Sequence, residues 1–143
     1  MAVRTAAATW SGGLLDGSGS VHSSGSGALG ELPVTWAARS EEHSGGKTSP
    51  EELIAAAHAS CFSMALSKQL ADNGTPPERL DVTAAVTFVP GTGITTSRLE
   101  LRGRVPGIDR ETFGSLAEAA KQGCPVSKAL AGVEISLEAQ LES

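Results

Sequence analysis

Pro50-Glu51-Glu52-Leu53-Ile54-Ala55-Ala56-Ala57-His58-Ala59-Ser60-Cys61-Phe62-Ser63-Met64-Ala65-Leu66 is the stretch on which the fold turns. Ser49 before it is a suitable N-cap, Pro50 fits the first helical position, and Glu51 and Glu52 oppose the positive dipole end of a first turn. Leu53, Ala57, Cys61 and Ala65 then recur at a spacing of four, with Ile54, Phe62 and Leu66 close by and no charge between Glu52 and Lys68. A stripe that broad predicts a helix buried on most of its circumference, running to about Asn73 as the central helix of the fold. Asn73-Gly74 supplies a left-handed cap, and Thr75-Pro76-Pro77 bars continuation.

On the N-terminal side the chain is rich in Gly and Ser and reads as three short strands, Arg4 to Trp10, Gly19 to Ser23 and Pro33 to Arg39. The first two are joined through Gly12-Gly13 and Asp16-Gly17, and Ser44 to Thr48 forms a connector into the helix. On the C-terminal side, Leu80 to Val89 and Thr95 to Val105 alternate with period two around Pro90-Gly91-Thr92-Gly93, the pattern of a β-hairpin. Asp109 to Gln122 reads as a second helix carrying Phe113, Leu116, Ala117 and Ala120 on one side. A helical turn at Gly123 to Ala131 and a last strand from Val133 to Leu141 complete the order βββ-α-ββ-α-β. The class is α+β: antiparallel sheets around a long central helix.

At 143 residues the chain is expected to form one domain. Aromatic residues make up only 3% of it, so its core rests on Ala, Leu and Val, and a partner subunit is expected to cover part of the apolar surface. Eleven Lys and Arg against sixteen Asp and Glu give a net charge of -5 with no basic tract, which argues against a nucleic-acid partner. No run approaches the roughly 18 apolar residues of a membrane span, and the opening Met1-Ala2-Val3-Arg4-Thr5 lacks a secretory apolar segment. The cytoplasm is the expected compartment, where two cysteines are more readily reactive or buried thiols than a permanent bridge.

Cys61 sits within the apolar helix, where a small buried hydrophobe is the plainest reading of a cysteine. Cys124 has a different setting, between Gly123 and Pro125 at the start of a helical turn, where unpaired N–H groups favour thiolate over thiol. One buried and one loop cysteine make a redox pair. Their separation of 63 residues excludes a CxxC motif, and neither has a neighbouring cysteine of the kind structural zinc sites use. His58, three positions before Cys61, leaves a mixed Cys/His metal site open, but a helix-packing histidine with satisfied hydrogen bonds is the preferred reading. The apolar neighbours Phe62, Met64, Phe88 and Phe113 are read mainly as core, with a pocket for an organic substrate as the alternative.

The segment Pro50 to Leu66 closely resembles the central-helix motif of the osmotically inducible OsmC proteins, and Gly123-Cys124-Pro125-Val126-Ser127-Lys128-Ala129-Leu130 resembles their second cysteine motif. Val105-Pro106-Gly107-Ile108-Asp109 and Ile135-Ser136-Leu137-Glu138-Ala139-Gln140-Leu141 are similar as well. The resemblance, which extends to the related organic hydroperoxide resistance (Ohr) proteins, implies an intertwined homodimer that reduces hydroperoxides through two cysteines. It makes Cys61 the attacking and Cys124 the resolving sulfur. It gives Arg39 the role of activating the thiolate and Glu51 that of holding Arg39. The sister branch draws its arginine from nearer the N-terminus, where only Arg4 stands, so the likeness is to OsmC more than to Ohr.

A thiol with a pKa near 8.5 is mostly protonated at neutral pH, and burial raises that value further, so a cation beside Cys61 is needed. On one unbroken helix the ten residues from Glu51 to Cys61 span about 15 Å, which suggests that Arg39 and Glu51 reach Cys61 from the other subunit. Thiolate attack on a hydroperoxide leaves a sulfenic acid on Cys61, and condensation with Cys124 gives a disulfide. Such a bridge requires the Gly123 to Ser127 segment to lie against the central helix. An external dithiol, for which the family points to a dihydrolipoyl group, then reduces the pair. No metal, flavin or haem is required. The rival readings are a non-catalytic dimeric module that binds an apolar ligand or a metal, and a structural disulfide in an exported protein.

Overall fold

The computed structural model describes residues 1–142. In chain order it contains β1 (Ala6–Ser11), β2 (Ser18–Ser23), β3 (Glu31–Val34), α1 (Trp36–Ser40), α2 (Pro50–Asp72), β4 (Arg79–Val89), β5 (Gly93–Arg104), α3 (Arg110–Gly123), α4 (Pro125–Ala129) and β6 (Glu134–Leu141). The α+β class and the order of the major elements are those read from the sequence. The chain divides into two compact units, Met1–Leu53 and the remainder from Ile54.

In the first unit β1, β2 and β3 form an antiparallel sheet in that order, with Trp10 opposite Gly19 and Val21 opposite Leu32. The strand expected from Pro33 to Arg39 stops at Val34, and Arg39 lies instead in the last turn of α1. The reason is local: the Thr35 hydroxyl accepts from the Ala38 N–H at 3.1 Å, an N-cap that diverts the following Trp-Ala-Ala-Arg into a helical turn. Five residues are too few for any periodicity to announce such a helix. The chain returns along β3, where the Thr48 N–H donates to the Pro33 carbonyl at 2.9 Å. No apolar side chain among the described residues of this unit is fully buried.

The long helix α2 begins as its sequence requires, the Ser49 hydroxyl accepting from the Glu52 N–H at 3.2 Å. It ends as expected too, with Gly74 at φ +83° and the Thr75 N–H returning to the Leu70 carbonyl at 2.9 Å. Its fully buried line is His58, Phe62, Leu66 and Leu70, one residue per turn. Burial around most of the circumference is not found, since Ala56, Ala57, Ser60 and Met64 are exposed. Alanine explains the difference: it carries the highest helix propensity and stands equally well on a wet or a dry face, so an Ala-rich stretch overstates the buried arc.

In the second unit the sheet order is β4-β5-β6. β4 and β5 form the expected antiparallel hairpin, with a register shift at Thr87/Phe88, but β6 runs parallel to β5, pairing Leu99 with Leu137. This corrects the all-antiparallel expectation. The helices α3 and α4 carry the chain back along the sheet before β6 begins, and a crossover of that length delivers a parallel strand. β5 alternates strictly, Ser97, Leu99, Leu101 and Gly103 being buried while Arg98, Glu100, Arg102 and Arg104 are exposed. Leu99 and Leu101 join Phe62, Leu66 and Leu70 of α2 and Phe113, Ala117 and Ala120 of α3 in one core. Gly103 is required there, because a Cβ on it would lie 2.6 Å from the Phe113 ring.

Candidate active site

Cys61 stands one position before Phe62 of the buried line of α2 and is partly exposed. Cys124 ends α3, its N–H donating to the Ala120 carbonyl at 2.9 Å, and occupies the N-cap position of α4 ahead of Pro125. It is 0% exposed. The sequence reading of one buried helical and one loop cysteine is thus reversed in burial: the connecting cysteine is the sealed one, and the helical cysteine is the one solvent can reach. An apolar neighbourhood in sequence did not imply burial of Cys61, because a residue 100° from the middle of a helical stripe lies at its margin.

Burial and the mutual influence of the two thiols set their acidities. Burial pushes the Cys61 thiol up, as do its hydrogen bond with Cys124 and the charge there, against a Val126 backbone N–H that favours thiolate. Burial also opposes ionisation of Cys124, but the hydrogen bond from Cys61, with the backbone N–H and hydroxyl of Ser127 and the N–H of Val126, outweighs it and pulls that thiol down. Cys124 makes no close side-chain cap bond to α4, so these N–H groups act on it as a looser electrostatic contact. The two thiols titrate as a linked pair, and within a single chain Cys124 is the one that loses its proton first.

His58 lies one turn before Cys61, is 0% exposed, and uses both ring nitrogens. Nδ1 is 2.6 Å from the Ser97 hydroxyl on β5 and Nε2 is 2.8 Å from the Ser127 hydroxyl on α4. Burial holds its pKa below the usual value, so the ring is neutral near pH 7. The packing histidine with satisfied hydrogen bonds is therefore what the structure contains. It ties α4 to α2 and so brings the Cys124 segment against the helix that carries Cys61, as a disulfide-forming pair requires. Ser97 and Ser127 were not singled out by the sequence reading. Ser97 carries a signal nonetheless, being the polar residue in the inward register of Leu99 and Leu101. Ser127 stands three residues after Cys124, a separation that faces inward from a helix start.

Arg39 and Glu51 meet in the first unit, Nε to Oε1 at 2.9 Å. Glu51 is 6% exposed and the Arg39 side chain 31%. The second carboxylate oxygen, Oε2, is buried with no hydrogen-bond partner among the described residues. The pairing inferred from the resemblance is thus present, although Arg39 reaches Glu51 from a helix and not from a strand end. Of the apolar residues considered for a pocket, Phe62 and Phe113 are core, while Met64 is 71% exposed. Among the described residues no three or more His, Cys, Asp and Glu gather as a metal site would need. No described helix is long and apolar enough to cross a membrane.

Residues 43–138 match the family model described as OsmC-like protein. The chain is 45% identical over 139 residues to Peroxiredoxin OsmC of Escherichia coli (strain K12), covering 95% of this chain and 94% of that protein. It is 36% identical over 98 residues to the organic hydroperoxide resistance protein of Xanthomonas axonopodis pv. citri, covering 65% of this chain and 67% of that one. The crystal structure of an organic hydroperoxide resistance protein OsmC from Legionella pneumophila superposes with a TM-score of 0.67 at 26% identity, covering 98% and 99% of the two chains. A full-length relative at that identity, a matching family model and a shared fold agree with the two cysteine motifs: the chain belongs to the OsmC-like protein family.

Proposed function

We propose that this chain is a thiol-dependent peroxidase that reduces organic hydroperoxides, with Cys61 attacking and Cys124 resolving. The observation that carries the reading is the pairing of a partly open thiol with a sealed one that perturbs its ionisation, in a chain whose relatives are named peroxiredoxin and organic hydroperoxide resistance protein. A peroxide can reach the partly exposed Cys61, whereas Cys124 is 0% exposed and sealed from it. The Cys61 thiolate attacks one peroxide oxygen, the O–O bond breaks, and the remainder leaves as an alcohol while Cys61 becomes a sulfenic acid. Cys124 displaces that hydroxyl as water to give the disulfide. A dithiol, of which a dihydrolipoyl group is our choice, restores the two thiols. No metal or prosthetic group takes part in this cycle.

For Cys61 to attack, it and not Cys124 must be the sulfur that ionises first, and a guanidinium beside Cys61 would favour that order. We assign this to Arg39, held by Glu51, from the second subunit of a homodimer. Three observations support the assignment. About 15 Å of α2 separates Glu51 from Cys61, Met64 and Ala57 leave one face of α2 exposed, and the first unit buries no apolar side chain completely. The two compact units of each chain would then work as one OsmC-like domain within a cytoplasmic enzyme.

The test is consumption of cumene hydroperoxide by metal-free protein supplied with dihydrolipoamide. Turnover is expected to vanish in Cys61→Ser, and Cys124→Ser is expected to stop after one equivalent with a sulfenic acid that dimedone traps on Cys61. Undiminished turnover by Cys61→Ser would show that the reading is wrong, and a metal-dependent activity would favour the binding-module alternative.

A further inference from the structure

The disulfide of the cycle just described has to join one turn of α2 to the start of α4, and a hydrogen bond already runs between the same two places. His58 stands three residues before Cys61 on α2, and Ser127 stands three residues after Cys124, the N-cap of α4. Residues at that spacing are neighbours on a helix surface, so the hydrogen bond lies one turn alongside the S–S bond to be formed. Nε2 of His58 is 2.8 Å from the Ser127 hydroxyl. The Lys128 N–H donates to the Cys124 carbonyl at 3.1 Å, which places Cys124 and Ser127 in a single turn. The far side of the imidazole is fixed as well, Nδ1 lying 2.6 Å from the Ser97 hydroxyl on β5.

The segment needs such a tether. α4 is five residues long, too short to hold its shape by its own hydrogen bonds. Among the described residues no other α4 side chain hydrogen-bonds outside that helix. Apolar packing alone tolerates sliding, whereas a buried hydrogen bond is directional and costly to break where no water replaces it. His58 is 0% and Ser127 6% exposed, so neither can exchange the other for solvent.

We propose that the hydrogen bond between His58 and Ser127 holds Cys124 in register with Cys61 and thereby decides how the Cys61 sulfenic acid is consumed. The inference rests on the peroxidase reading above and makes His58 a positioning residue that acts through α4. Two reactions compete for the sulfenic acid. In the first, the Cys124 thiolate forms the S–S bond while the Cys61 S–O bond breaks, and the departing hydroxide takes up the proton that Cys124 released and leaves as water. In the second, the Cys61 sulfur attacks another hydroperoxide, the O–O bond breaks, and a sulfinic acid and an alcohol result. Cys61 is partly exposed, so the second reaction stays open for as long as the first is delayed. The first is intramolecular and depends steeply on alignment, whereas the second depends on peroxide concentration. Loosening α4 therefore shifts the outcome toward sulfinic acid without slowing the initial attack on peroxide.

The test compares Ser127→Ala, which removes one oxygen, with His58→Asn and His58→Gln. The shorter amide reaches Ser97 but not Ser127, and the longer one can bond both serines. Rapid quenching over a range of cumene hydroperoxide concentrations measures sulfenic acid by dimedone trapping, and disulfide and sulfinic acid by mass spectrometry. Sulfenic acid is expected to form at the wild-type rate in all three variants. Disulfide is expected to form about tenfold more slowly in Ser127→Ala and His58→Asn, within the roughly 100-fold that a misplacement of about 1 Å can cost, and sulfinic acid to appear at correspondingly lower peroxide. His58→Gln is expected to recover most of the wild-type rate. The Lys128 and Leu130 amides, bonded to the Cys124 and Val126 carbonyls, should exchange hydrogen roughly two- to tenfold faster in Ser127→Ala, as the loss of one net hydrogen bond implies. Wild-type partitioning between disulfide and sulfinic acid in Ser127→Ala and His58→Asn would overturn the tether and leave the peroxidase intact, and Ser127→Ala alone decides this should His58→Asn not fold. Sulfenic acid and disulfide slowed in step, or His58→Gln as impaired as His58→Asn, would overturn it as well, since either outcome marks a packing role. Failure of the wild-type protein to form any sulfenic acid on Cys61 would overturn both readings.

Discussion

The Nε of Arg39 stands 2.9 Å from Oε1 of Glu51, and the carboxylate it holds is buried with its other oxygen unpartnered among the described residues. A buried carboxylate deprived of its close cation is destabilising in a way an exposed one is not. Because the guanidinium is 31% exposed, the effect of Arg39→Ala is expected between the surface and buried extremes, at about 1–3 kcal/mol, read from the urea midpoint. Glu51→Gln in the same background should recover part of that loss, since the charge no longer needs a partner. If Arg39 also serves the thiolate, Arg39→Lys should slow sulfenic acid formation more than it lowers stability, because an ammonium lacks the planar pair of donors. Equal stability of Arg39→Ala and wild type would mean that the pair contributes nothing to folding.

The linked ionisation of the two sulfurs gives shifts of opposite sign. Beyond burial, Cys124 raises the pKa of Cys61 through its hydrogen bond and its charge, so Cys124→Ala should lower that pKa, leaving only burial to hold it up. The hydrogen bond from Cys61 helps to pull Cys124 down, so Cys61→Ala should move Cys124 upward. Thiolate absorbance near 240 nm, followed through a pH titration of each single-cysteine variant, checks both. Shifts of the same sign in the two variants would rule out a linked ionisation.

How much of this was legible in the sequence differed from element to element. The start and stop of α2 were written in Ser49, Pro50 and Asn73-Gly74, because caps act within a few residues. The hairpin of β4 and β5 was equally plain from its alternation. Arg39 was misplaced on a strand, since the cap that turns the chain is one hydroxyl on Thr35 and the helix it starts is shorter than a periodic signal. The direction of β6 was missed because pairing is decided by where α3 and α4 return the chain, which no local pattern records. The candidate residues Cys61, Cys124, Arg39 and Glu51 came from motif likeness, and the structure pairs Arg39 with Glu51 in the first unit and sets both cysteines in the second. Which sulfur is sealed depends on helix phase and on the packing of α4, and Ser97 and Ser127 became visible only once β5 and α4 lay on either side of His58.

Gly103 offers a test of the core independent of the chemistry. Its backbone is not in the left-handed region, so the argument is one of space: a Cβ there would stand 2.6 and 2.8 Å from two atoms of the Phe113 ring. Phe113 is 2% exposed and packed in the core of the second unit, so it has little room to withdraw. Gly103→Ala is expected to cost about 1–3 kcal/mol of stability by overpacking. Pairing it with Phe113→Leu should recover part of the loss, and a double-mutant cycle of urea midpoints measures the coupling. Additive effects would mean that the strand and the ring do not meet.

His58 also predicts how stability changes with acidity. Its folded pKa lies below the usual histidine value because burial penalises the imidazolium, while in the unfolded chain it titrates near 6.5. Between the two values the unfolded chain binds a proton that the native chain refuses, so stability rises with pH there. The contribution is complete above about pH 6.5 and is lost as pH falls toward the folded value, with a slope of at most about 1.4 kcal/mol per pH unit from this one residue. Carboxylates titrate over a neighbouring range, so the comparison that isolates the histidine is with His58→Gln, whose amide can bond both serines and does not protonate. Stability from urea unfolding at intervals between pH 5 and pH 8 should fall more steeply toward acid in the wild-type protein than in the variant. Parallel curves would mean that the buried ring gains its proton as readily in the native state as in the unfolded one, which its two serine hydrogen bonds and its lack of exposure argue against.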